Sequence, residues 1–224
     1  MFDLEKYLHD LIGACKASFC DRLLYVGLQG SYLRGEAHDN SDIDVMVVVE
    51  NLSVADMDRY REILLEIGFY EKSCGFLCGR AELACWNPLE ICQLLHTTKD
   101  LYGSLKELLP HATRADEINY AKLSLGNLYH ELCHRYVHAD KETNEAVFGA
   151  VCKNFFFLIQ NLYYLESGRF VLTKKELKEC VCECDRVLLE LGDKKGKIDF
   201  ESSFALAFAW CQETFGRLNK INEG

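Results

Sequence analysis

The feature that most constrains this chain is the run of residues 30–44. It opens on Gly30-Ser31, passes through Arg34-Gly35 and closes on Ser41-Asp42-Ile43-Asp44, leading into Val45-Met46-Val47-Val48-Val49. That tail is largely β-branched and apolar at every position, so it reads as a strand covered on both faces and central in a sheet. Side chains alternate along a strand, so Asp42 and Asp44 point to the same face, a short distance apart. Two like charges held so close are costly unless a cation sits between them. Magnesium, a hard ion that takes oxygen ligands, suits such a pair. Upstream, Leu23-Leu24-Tyr25-Val26-Gly27-Leu28 reads as a short buried strand ending in a glycine turn at Gly30. A glycine there lets the backbone approach a phosphate, Ser31 offers an amide and a hydroxyl, and Arg34 offers a fork of donors. Each half has a plain reading alone: paired aspartates arise by chance on an acidic chain, and a glycine turn simply joins a strand to a helix. Together they supply a grip for a phosphate tail and a seat for its counter-ion.

The surrounding pattern changes once along the 224 residues. Before about residue 112, short elements alternate. Apolar positions Leu4, Tyr7, Leu8, Leu11, Ile12 and Cys15 keep helical spacing over 2–18. Ser53 can cap a helix over 54–67 that Gly68 stops. A strand is expected at 76–78 and a helix at 89–98. From about Ala115, long periodic stretches follow near 116–138, 144–166, 173–192 and 201–219. Thr173-Lys174-Lys175-Glu176 reads as a capping box, and Gly192-Asp193-Lys194-Lys195-Gly196-Lys197 as a polar connector. The expected architecture is α+β, with an N-terminal domain over 1–112 and an all-helical domain over 113–224.

Charge narrows the partners. The net charge of −10 is uneven: residues 1–112 hold 18 acidic and 10 basic side chains, and residues 113–224 hold 17 and 15. Neither half shows the basic stripe that neutralises a duplex, so duplex nucleic acid is not expected as a partner, whereas a nucleotide substrate stays open. The opening Met-Phe-Asp-Leu-Glu-Lys lacks a basic region followed by an apolar one, and runs such as 155–159 are too short to cross a bilayer. A cytoplasmic chain with no membrane partner is expected, its twelve cysteines reduced and mostly packed as small hydrophobes.

The run Gly-Ser-x-x-Arg-Gly-x-x-x-x-x-Ser-Asp-Ile-Asp closely resembles the signature of the DNA polymerase β-like nucleotidyltransferase superfamily. Among its members it is similar to small bacterial kanamycin- and streptomycin-type adenylyltransferases and to the minimal nucleotidyltransferases of toxin–antitoxin pairs. The resemblance implies a mixed, mostly antiparallel sheet followed by a helical bundle. It implies an NTP, in particular ATP, gripped around Gly30, Ser31 and Arg34, and two magnesium ions held by Asp42, Asp44 and a third acid on a neighbouring strand. A hydroxyl acceptor would then attack the α-phosphorus in line and release pyrophosphate. The acceptor would be a small molecule such as an antibiotic or, alternatively, a side chain of a partner protein. It would be read by polar and aromatic side chains of the helices near 116–138 and 144–166. Glu82, in Arg80-Ala81-Glu82-Leu83, is the candidate third acid. Its competing reading is a glutamate in the first turn of a helix, favoured there by the dipole. Glu90 and Asp100 are poorer candidates, in helical or connecting sequence.

Three weaker constellations remain. His130, His134 and His138 share one helix face and read best as a surface or interface stripe. Cys180, Cys182 and Cys184 sit two apart, and positions two apart on a regular helix diverge, so the three are not expected to ligate one ion. The aromatic surplus at Phe156 and Tyr163 reads equally as core or as a contact surface, either a homodimer interface or the wall of an acceptor pocket.

Overall fold

The first helix follows from its stripe of apolar residues. α1 (Leu4–Phe19) is capped by Asp3, whose side chain accepts from the Lys6 amide, and it buries Tyr7, Leu8, Leu11, Cys15 and Phe19. That face packs on β1 (Leu23–Leu28) and β2 (Ile43–Val49), where Val26, Val45, Val47 and Val49 are buried with it. The opposite face of the same strands buries Tyr25, Met46 and Val48. β2 is therefore covered on both sides, as its unbroken apolar sequence requires, and each fully buried valine adds about 1.5 kcal/mol or more.

The computed structural model describes residues 2–193 and 199–223, which fall into two units, Met1–His111 and Ala112–Gly224. In the first unit the short α2 (Gly30–Arg34) leads from β1 toward β2, and α3 (Val54–Ile67) opens on a reciprocal capping box between Ser53 and Asp56. Asp56 is also held by Arg22 at 2.6 Å. β3 (Ser73–Gly79) is followed by α4 (Arg80–Ala84), α5 (Pro88–Thr97), β4 (Lys99–Tyr102) and α6 (Leu105–Leu108). The strand order is β3-β2-β1-β4. β1 runs antiparallel to both β2 and β4, while β3 runs parallel to β2. The sheet is thus mixed and mostly antiparallel, and the chain is α+β as its pattern implies.

The second unit is helical throughout its described residues. α7 (Arg114–His138) starts on a capping box between Thr113 and Asp116. The stretch expected near 144–166 divides into α8 (Lys141–Cys152) and α9 (Asn154–Ser167) around Lys153. Residues 141–167 are apolar enough to cross a membrane by composition alone, but Phe148, Val151, Phe155, Leu158, Ile159 and Leu162 are spent on the core of this unit. Phe156 is buried in that core and Tyr163 packs against it, so the surplus aromatic face belongs to the interior. The stretch expected at 173–192 also divides, into α10 (Lys174–Cys180) and α11 (Glu183–Leu191). α12 (Phe200–Glu223) completes the unit. Residues 194–197 of the expected connector lie outside the described residues.

Candidate active site

Antiparallel pairing of β1 and β2 brings the end of one strand beside the beginning of the other. Leu28 lies opposite Val45, and the Gln29 amide donates to the Asp44 carbonyl at 2.8 Å. The next residue, Gly30, has φ +67°, and a Cβ there would fall 1.9 Å from Asp44 Oδ2. Only glycine fits: any side chain would be strained in its backbone and would collide with the carboxylate. The Gly-Ser turn and the second aspartate are therefore one packed unit.

α2 begins at this contact. Gln29 does not cap it; its side chain donates to Thr98 Oγ1 at 2.8 Å, tying the turn to the chain just before β4. The helix lasts one turn because Gly35 adopts a left-handed conformation, and the Glu36 amide closes it on the Ser31 carbonyl. Ser31 is half-buried. Arg34 is also half-buried, and its Nε donates to Glu36 Oε2 at 2.8 Å. A phosphate that recruits Arg34 has to compete with that pair.

Asp42 is exposed and Asp44 half-buried, on one face at the start of β2. The loop before them is held by Ser41, which is buried: its hydroxyl accepts from the His38 amide at 2.9 Å and its amide donates to the His38 carbonyl at 2.8 Å. On the parallel neighbour β3, the residue in register with Asp44 is Cys74. Cys74 is exposed, and its thiol pKa is raised above the ordinary value, first by partial burial and then by the negative charge of Asp44. A bare Cα at Gly75 keeps β3 tight on β2, since a Cβ would meet the Val45 carbonyl oxygen at 2.0 Å.

Glu82 is not at this place, and the third-acid assignment is corrected. Parallel register runs from Asp44 beside Cys74 to Val49 beside Gly79. At about 3.3 Å per residue, those five steps carry the chain about 17 Å away before Glu82 is reached. There Glu82 lies in the first turn of α4, folded over Gly79. Its dipole-favoured alternative is the reading that fits. Glu90 lies in α5 and accepts from Trp86 Nε1 at 2.5 Å. Asp100 lies on β4 and accepts from the buried Tyr25 hydroxyl at 2.6 Å. Among the described residues no third His, Cys, Asp or Glu ligand atom gathers with Asp42 and Asp44. The carboxylates of Asp42 and Asp44 are hard oxygen donors of the kind that would hold magnesium beside a phosphate-bearing substrate. The place for a further carboxylate beside Asp44 holds a thiol, a poor magnesium ligand.

Sequence reasoning missed Cys74 because β3 was expected to begin only at residue 76. Glycine at 75 and small polar residues before it hid the strand. It missed β4 because four residues with two exposed charges carry little periodicity.

Comparison with known proteins agrees with this construction. The family model of the nucleotidyltransferase domain matches residues 15–75, a span that includes Gly30, both aspartates and Cys74 and stops short of Glu82. A candidate protein adenylyltransferase of Methanocaldococcus jannaschii is 39% identical over 66 residues, which are 28% of this chain and 45% of that protein; the chain thus spans less than half of that relative. Among solved structures, a spectinomycin adenyltransferase from Enterococcus, with ATP and spectinomycin bound, superposes over 97% of this chain and 100% of its own. The TM-score is 0.58 and the identity 14%, a likeness of fold. A toxin–antitoxin structure with AMP-PNP covers 58% of this chain and 92% of its own, with 21% identity and a TM-score of only 0.33, too low to bear on the argument. Residues 15–75, with the glycine turn packed on the second aspartate, are the part of the chain that matches the nucleotidyltransferase domain.

Proposed function

We propose that this protein transfers a nucleoside monophosphate, AMP in particular, from an NTP to the hydroxyl of a small molecule and releases pyrophosphate. The observation that carries this reading is the contact of Gly30 with the Asp44 carboxylate, which joins phosphate grip and metal seat at one end of the sheet. In this reading Ser31 and the first amides of α2 bind the triphosphate tail, and Arg34 exchanges Glu36 for a phosphate oxygen. Asp42 and Asp44 hold magnesium, which when bound neutralises the triphosphate and favours charge build-up at the leaving oxygen. The half-buried position of Asp44 limits the ways the carboxylate can turn, and Cys74 stands in register beside it on β3. With no carboxylate at position 74, the acceptor's proton leaves to water or to a group on the acceptor side.

A small acceptor is favoured by a cavity of about 230 Å³ inside the helical unit. α7 lines it with Tyr120, Ser124, Asn127 and Glu131, and α9 with Asn154 and Asn161. Leu128, Phe157 and Leu158 complete the lining, so the cavity combines apolar walls with amides, hydroxyls and one carboxylate that would orient the polar groups of a small ring-bearing molecule. The alternative, transfer of AMP to a side chain of a partner protein, draws on the 66-residue similarity to the candidate protein adenylyltransferase. The test offers ATP labelled at the α-phosphate, with magnesium, to a panel of aminoglycosides and aminocyclitols and, in parallel, to a cell lysate. The proposal expects label on a small molecule. Label on protein alone would replace it with the alternative reading, and the intact nucleotide in both arms would contradict both.

A further inference from the structure

The division of 173–192 into two helices changes what its cysteines can do. Inside one helix, residues two apart diverge by about 200°. Here α10 ends at Cys180 and Cys182 is the N-cap of α11, with φ −66° and ψ 167°. From an extended N-cap a side chain folds back over the first turn, as capping side chains do. Cys182 makes no capping hydrogen bond, and its Sγ lies 2.8 Å from Cys184 Sγ. Both cysteines are free and exposed.

The next residue fixes where the pair stands. Asp185 is buried, and its Oδ1 accepts from Trp210 Nε1 at 2.6 Å and from Arg217 at 2.8 Å, while its Oδ2 accepts from Arg217 at 3.2 Å. Arg217 also binds Glu166, so the start of α11 is pinned to α9 and α12. The ligand atoms of Cys182, Cys184 and Asp185 lie within 4.8 Å of one another. A metal there is disfavoured, because Trp210 and Arg217 already occupy the carboxylate and the guanidinium repels a cation.

We propose that Cys182 and Cys184 form a redox-active dithiol that takes a small-molecule disulfide as its oxidant. The Cys182 thiolate attacks one sulfur of the disulfide, forming a mixed disulfide and expelling one thiolate. Cys184, as thiolate, then attacks Cys182 Sγ and expels the second. The protein loses two protons and two electrons, and the oxidant becomes two thiols. The order follows from position: Cys182 stands at the open N-cap, whereas Cys184 Sγ lies 3.9 Å from Oδ1 of the buried Asp185, a negative neighbour that disfavours its thiolate and makes it the poorer first nucleophile.

The test treats the full chain with oxidised glutathione, alkylates the remaining thiols and maps the peptides by mass. The expected product is a Cys182–Cys184 disulfide without retained glutathione. Because the closing step is intramolecular, glutathione should leave Cys182 at least about tenfold faster than it leaves Cys20 or Cys85. Cys184→Ser should keep glutathione on Cys182, and Cys180→Ser should behave as wild type. Glutathione retained on Cys182 in the wild type, a Cys180–Cys182 link, or glutathione lost from Cys182 no faster than from Cys20 and Cys85 would overturn the proposal. So would zinc held stoichiometrically by the reduced chain and lost in Cys182→Ser.

Discussion

The two ends of the β2–β3 pair are built from the same two strands and hold different chemistry. At one end Asp44 stands beside Cys74, with Gly30 against its carboxylate and Asp42 exposed two residues before. At the other, Val49 stands beside Gly79 and the chain turns into α4, where Glu82 covers Gly79 and Arg80 pairs with Glu50 at 3.4 Å. The first end carries two carboxylates two residues apart with no protein cation paired to either among the described residues. The second gives its acids structural partners, a helix start and an arginine. An acid is available for chemistry at the end where the fold leaves its charge uncompensated, and register alone decides which end that is.

The largest expected effect is that of Asp44→Asn. It should lower nucleotidyl transfer by at least about a hundredfold, the scale of losing one preorganised charge-stabilising group. It also relieves repulsion with Asp42, so thermal unfolding without magnesium should match wild type or rise slightly. Gly30→Ala comes next. A Cβ at φ +67° costs about 1–2 kcal/mol and must displace Asp44, so both the melting temperature and transfer should fall. Wild-type activity in this variant would break the link between turn and aspartate. Arg34→Ala and Ser31→Ala should raise the KM for nucleotide more than they lower kcat, by about tenfold for Arg34 and less for Ser31. Unchanged nucleotide affinity in both would remove the phosphate grip. Cys74→Asp should strengthen magnesium binding several-fold by placing a carboxylate in register with Asp44, and unchanged or weaker magnesium binding would contradict that placement of the metal. The smallest effect is that of Glu82→Gln, for which wild-type transfer is expected.

How much of this was legible can be traced to particular residues. β1 and β2 could be read residue for residue because their burial is continuous, and α3 because Ser53 and Gly68 bracket it. The Gly30–Asp44 contact was foreshadowed by spacing, since a strand end followed by a strand start returns the chain to the same edge. Glu82 was misplaced because a parallel neighbour needs its register, and Ser73-Cys74-Gly75 does not look like a strand. Lys153 and the Val181-Cys182 pair were invisible as helix breaks, because no proline or glycine marks them and the apolar spacing runs on across both.

The most direct test of the central claim compares the two ends by nucleotide binding, which needs no knowledge of the acceptor. Calorimetry with a non-hydrolysable ATP analogue, with and without magnesium, would be run on wild type, Asp44→Asn and Glu82→Gln. Wild type and Glu82→Gln should show the same magnesium-dependent gain in affinity, and Asp44→Asn should lose it. Retention of that gain by Asp44→Asn, together with its loss in Glu82→Gln, would move the site to the other end of the sheet and contradict the account.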